Sequence, residues 1–156
     1  MGFEGAGWTS LEHWSAQAGE HEPPVRYALE DDFNIIYSSG TTGVPKGIVQ
    51  THRARQHWSY SNAIEMRFDD RAIALVTTSL YSNGTWFMFL PPLFAGATIV
   101  IMEQFSPAAF LDVVQRERVT HTFMVPTQFI TILANPGLGQ YDLSSLKVMV
   151  SAGSPL

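Results

Sequence analysis

Cysteine is absent from the 156 residues, which excludes a disulfide framework, thiolate metal sites and a cysteine nucleophile. Charge is also scarce. Asp, Glu, Lys and Arg make up 15% of the chain, where about a quarter is usual for a soluble domain. A surface so thin in charge implies that part of it is covered by further protein. What charge there is sums to −5, which argues against a broad nucleic-acid-binding face. Met1 to Gly7 holds neither a basic cluster nor an apolar run, so it does not read as a secretory leader, and a cytoplasmic protein is the default expectation. His13, His21, His57 and His121 lack ligand spacing with one another, and no metal site is expected of them.

The longest gap in charge runs from Arg71 to Glu103. Such a span could be long enough for a membrane helix. Three features oppose that reading: Pro91-Pro92 in its middle, the polar side chains of Thr77, Thr78, Ser79, Ser82 and Asn83, and the β-branched run Ile99-Val100-Ile101. A buried passage of strand, loop, helix and strand is expected instead. Hydrophobicity of 46% is ample for a core.

Residues 1–32 are weakly patterned and form a poorly defined N-terminal segment, with a short helix around Ser10 to Ala18 beside Trp8 and Trp14. From Phe33 onward, strand and helix patterns alternate. Strands are expected at Phe33–Ser38, Ile48–Gln50, Ala72–Thr77, Ala97–Met102, Val119–Val125 and Leu146–Ser151. Helices are expected from the Thr51 cap to about Met66, from Ser106-Pro107 to Arg118, and from Pro126 to Ala134, and a helix or an apolar turn at Asn83 to about Phe89, stopped by the prolines. That alternation predicts an α/β fold with a largely parallel sheet and crossover helices. The sheet reads as incomplete, because the last strand runs into Ala152-Gly153-Ser154-Pro155-Leu156 where a further element would begin.

Residues 38–47 concentrate the chemistry. Gly40, Gly43 and Gly47 allow backbone amides to approach an anion, Ser38, Ser39, Thr41 and Thr42 add hydroxyl donors, and Lys46 adds a cation. No carboxylate interrupts the run. The order differs from a Walker loop, which puts glycine directly before its lysine, and from the G-x-G-x-x-G dinucleotide fingerprint. Taken only as a Gly/Ser/Thr cluster, the run could equally be a plain turn.

The sequence Ile35 to Gly47, ending in Pro45-Lys46-Gly47, resembles the signature loop of the adenylate-forming superfamily, which includes acyl-CoA synthetases. Ser79 to Gly84 is similar to the segment that brings an aromatic or His residue to the mouth of the acyl pocket. Leu146 to Leu156 is similar to the strand and turn beside the adenine. Two departures stand out: Thr78 and Tyr81 fall where many coenzyme A ligases have Pro and His, and Ser151-Ala152-Gly153-Ser154 replaces a Gly-Gly-Ala-like run.

The resemblance implies that residues 33–156 are part of an AMP-binding (adenylation) domain, within the large N-terminal domain of an enzyme that activates a carboxylic acid with ATP and Mg2+ and passes the acyl group to coenzyme A. A fatty or other hydrophobic acid is the mild preference. Thr41, Thr42 and Lys46 would contact the phosphates, with Ser38, Ser39, Gly40 and Gly43 completing the loop. Ala152, Gly153 and Ser154 would flank the nucleotide, and Tyr81, Asn83 and Gly84 the acyl pocket. The magnesium-binding, ribose-binding and late catalytic residues would belong to a missing C-terminal part, so the chain alone is expected to be inactive. A non-catalytic nucleotide-binding module or a truncated product is the alternative.

Other residues have plainer readings. His52 is expected to serve the start of a helix, Glu30-Asp31-Asp32 to be a solvated acidic loop, and Arg53 and Arg55 to lie on an exposed helix face. Trp86, Phe87 and Phe89 suit either an acyl channel or core packing. Ser151 and Ser154 have no base partner for hydrolysis.

Overall fold

Residues 7–21, 24–38 and 44–153 are described in the computed structural model. Capping chemistry sets the helix starts. Ser10 Oγ accepts from the His13 amide at 3.1 Å and opens α1 (Leu11–Ser15). Thr51 Oγ1 accepts from the Ala54 amide at 3.2 Å and opens α2 (His52–Glu65). Ser106 Oγ does the same for α4 (Pro107–Glu117), which ends where Arg118 turns left-handed at φ 54°.

The first two strands depart from the expected crossover pattern. β1 (Asp32–Ser38) and β2 (Lys46–Thr51) pair antiparallel as a hairpin, with Ile36 opposite Ile48 and Ser38 opposite Lys46. The connection between them is far shorter than the dozen or so residues a parallel crossover needs, so the chain must turn back on itself.

A second departure concerns Pro91 and Pro92. The stretch Asn83–Met88 is a 3-10 helix, and the prolines do not end a helix but begin one, in the first turn of α3 (Leu90–Phe94). The first turn has spare N–H groups, so proline's missing donor costs nothing there.

The remaining elements are β3 (Ile73–Val76), β4 (Thr98–Ile101), β5 (His121–Met124), α5 (Pro126–Leu133) and β6 (Val148–Ser151). These strands form one parallel sheet in the order β4-β3-β5-β6. The uncharged run is thereby explained, because the sheet is covered on both faces. Leu75 and Met124 pack with Phe110, Leu111, Val114 and Ile132 on one side. Ala74, Val76 and Phe123 pack with Met88 on the other. Burying each large side chain contributes roughly 1.5–3 kcal/mol.

One buried imidazole joins the layers. His121 Nδ1 lies 2.7 Å from Thr120 Oγ1, its Nε2 lies 3.0 Å from the Met66 carbonyl, and its ring stacks on Phe68. Among the described residues no helix is long and apolar enough to cross a membrane.

Candidate functional site

The two strands of the hairpin flank the glycine-rich run in sequence. Ser38 closes β1 directly across from Lys46, the first residue of β2, so the strands clamp both ends of the loop. Lys46 is exposed, and among the described residues it takes part in no ion pair. Ser39, Gly40, Thr41, Thr42 and Gly43 lie outside the described residues, as does Ser154.

A second feature sits at the carboxyl ends of the parallel strands. The chain leaves β3 for β4 on one side, then crosses back to β5 on the other. Ligands in open α/β sheets bind outside such a switch point. Thr77 Oγ1 donates to the Phe123 carbonyl at 2.9 Å, and Gln128 Nε2 donates to the Thr77 carbonyl at 3.3 Å, tying the two strand ends together. Thr85 Oγ1 sits 2.7 Å from both Thr78 Oγ1 and the Ser79 carbonyl, which fixes the turn between them. A cleft of about 480 Å³ opens there, walled by Thr77 to Ser82 and by Ile101 to Glu103 with Phe105. Tyr81 stands on its rim, 86% exposed. Ala152 and Gly153 follow β6 at the same edge; Gly153 has φ +100°, and a Cβ on it would meet Val125 Cγ1 at 3.5 Å.

The three residues expected to line an acyl pocket do not share one cavity. Tyr81 faces the large cleft. Gly84 packs on the core: a Cβ there would lie 2.4 Å from Phe123 Cζ, so only glycine lets the 3-10 helix approach β5 this closely. Asn83 borders a separate cavity of about 140 Å³ with Ile36, Tyr37, Ile48, Gln50 and Arg55.

Arg55 corrects the expectation of an exposed helix face. It is buried, 5% exposed, with Nε donating to Asn34 Oδ1 at 3.2 Å and Nη2 donating to Asn83 Oδ1 at 2.8 Å. Burial lowers its pKa from the ordinary value. The available signal was spacing: Arg55, Ser59 and Ala63 recur every fourth residue on one stripe of α2, and all three are buried. Arg53 does point outward and pairs with Glu30. His52 stacks on Tyr27 at 4.2 Å and meets Phe33 edge-on, so it anchors the start of α2. Trp86 contacts Phe33 and Phe89 in edge-to-face pairs. No group of three or more His, Asp or Glu that could hold a metal occurs among the described residues.

The AMP-binding enzyme family matches residues 4–156. The chain belongs to that family. Feruloyl-CoA synthase from an Amycolatopsis species is 37% identical over 144 residues, which are 89% of this chain and 29% of that protein. 4-Coumarate–CoA ligase 1 from Solanum tuberosum is 34% identical over 148 residues, 90% of this chain and 27% of that protein. The crystal structure of ATP-bound MatB from Rhodopseudomonas palustris aligns with a TM-score of 0.82 at 26% identity, covering 96% of this chain and 30% of that one. The chain therefore spans less than a third of the length of these AMP-binding relatives. Its parallel sheet and flanking helices have the fold of adenylate-forming enzymes.

Proposed function

We propose that the protein carrying this chain activates a hydrophobic carboxylic acid with ATP, giving an acyl-adenylate and pyrophosphate, and that coenzyme A then takes the acyl group and releases AMP. Membership of the AMP-binding family carries this reading. The hairpin supports it locally, because Ser38 and Lys46 bracket the phosphate-type loop from opposite strands.

In this reading residues 33–156 are part of an adenylation domain. Lys46, with Thr41 and Thr42, neutralises the terminal phosphates so that an anionic carboxylate can approach. Ser38, Ser39, Gly40 and Gly43 shape the loop, and Ala152, Gly153 and Ser154 flank the base. Tyr81 gates the cleft, Asn83 points to the acyl end, and Gly84 holds the intervening helix against the core. When bound, Mg2+ would offset phosphate charge, and its protein ligand would come from the part of the enzyme beyond this chain. The acid is an aromatic one rather than a fatty one if this chain follows its feruloyl- and coumarate-named relatives. A cytoplasmic setting, where ATP and coenzyme A are available, goes with the reaction.

Activity needs the further residues that those relatives possess. Their greater length supports a second reading for these 156 residues alone, nucleotide binding without turnover. The test is AMP release by the complete enzyme in the presence of ATP, coenzyme A and a panel of aromatic and aliphatic acids. Acid-dependent AMP and thioester in equal amounts are expected. Failure to form AMP and thioester with every acid in the panel would reject the reading.

A further inference from the structure

Arg55 is a desolvated cation with a surplus of donors around it. Its guanidinium carbon lies 5.5 Å from the Trp58 ring centre and 5.6 Å from that of Trp86. None of the ion pairs among the described residues involves it. A guanidinium carries five N–H groups, and the two placed here go to neutral amide oxygens. Beside it, Asn34 Nδ2 and Trp86 Nε1 are buried donors without an acceptor. The Asn34 amide cannot turn over to relieve this, since its Oδ1 is what accepts from Arg55. Buried donors left unmatched are costly, and buried cations call for an anion.

The cavity of about 140 Å³ bordered by Arg55 and Asn83 supplies room for one. A water's share of liquid volume is about 30 Å³, so the cavity admits a group of several heavy atoms. It lies along the hairpin, whose β1 wall runs from Ile36 through Tyr37 to Ser38 at the loop. Two residues of strand span about 7 Å. A diacid of that length, entering from the Ser38–Lys46 end of the hairpin, would bring its far carboxylate toward Arg55.

We propose that Arg55 and Asn83, which line this cavity, with the unmatched Asn34 and Trp86 donors close by, form a subsite for a second anionic oxygen group, so that the acid activated carries a second carboxylate on its otherwise apolar body. The inference rests on the acid-activating reading above. Arg55 is then a specificity-determining residue whose charge the bound substrate matches.

The experiment compares matched acids in the complete enzyme: terephthalate against its monomethyl ester, and adipate against its monomethyl ester. The wild type should favour each dicarboxylate at least tenfold in kcat/KM. Arg55→Met should abolish that preference, lowering kcat/KM for the dicarboxylate more than for the half-ester, and Arg55→Lys should restore part of it. Trp86→Phe keeps the ring and removes one donor, so it should narrow the preference even if Arg55→Met fails to fold. Equal handling of the paired acids by the wild type overturns the proposal, as does a preference that survives both substitutions. If no acid is activated, the enzymatic reading fails by itself, and the subsite is then read by calorimetric titration of the protein with terephthalate. Binding that Arg55→Met or Trp86→Phe weakens sustains the subsite, and no binding by the wild type overturns it.

Discussion

Gly84 packs against the Phe123 ring with no room for a side chain. Because a Cβ on Gly84 would lie 2.4 Å from the Phe123 ring, Gly84→Ala should destabilise the fold by about 1–3 kcal/mol, seen as a lower urea midpoint. Adding Phe123→Leu should recover part of that loss, and an unchanged midpoint in Gly84→Ala would contradict the packing. His121 sets a pH dependence. Burial, opposed by the Met66 carbonyl, holds its pKa below the ordinary 6.5. The unfolded chain then binds the proton more readily, so stability should be level above about pH 6.5 and fall as pH drops below it. Thermal melts should show this slope, and His121→Gln should flatten it. Lys46 could be proposed from the sequence because the motif that singles it out is continuous. Arg55 was not, because its environment comes from β1, α2 and the 3-10 helix, which meet only in the folded chain.

Local chemistry made most elements readable, and tertiary context decided the exceptions. Ser106-Pro107 announced α4, and Ser106→Ala should cost about 1 kcal/mol by freeing the Ala109 amide. Equal thermal stability of the variant would mean that the cap is idle. Thr51 announced α2 in the same way. The antiparallel hairpin was hidden because strand pattern carries no direction; only the length of the intervening loop does. Pro91 and Pro92 were misread as a stop because proline ends one helix and starts another by the same missing N–H. The residues expected at the acyl pocket diverge where the chain enters the 3-10 helix: Tyr81 to the cleft, Asn83 to Arg55, Gly84 to Phe123.

Across the whole molecule, scarce charge has two sources. The parallel sheet is buried on both faces, and a further apolar surface stays open beside α5 and β6, where Ile130, Leu133 and Met149 are 59%, 71% and 56% exposed. Contiguous apolar surface drives association. Prepared alone, the 17.3 kDa chain should therefore sediment heavier than a monomer, and Leu133→Glu with Met149→Glu should reduce that association. The fold class and the family were legible because they rest on periodicity and a motif; the acid is not, because its pocket is assembled from separate elements. Exchange of labelled pyrophosphate into ATP by the complete enzyme, without coenzyme A, isolates the adenylation step. The account predicts exchange that requires an acid, with Lys46→Ala raising the KM for ATP about tenfold or more, as loss of a charge-assisted hydrogen bond implies. Exchange that ignores Lys46, or none with any acid tested, would contradict it.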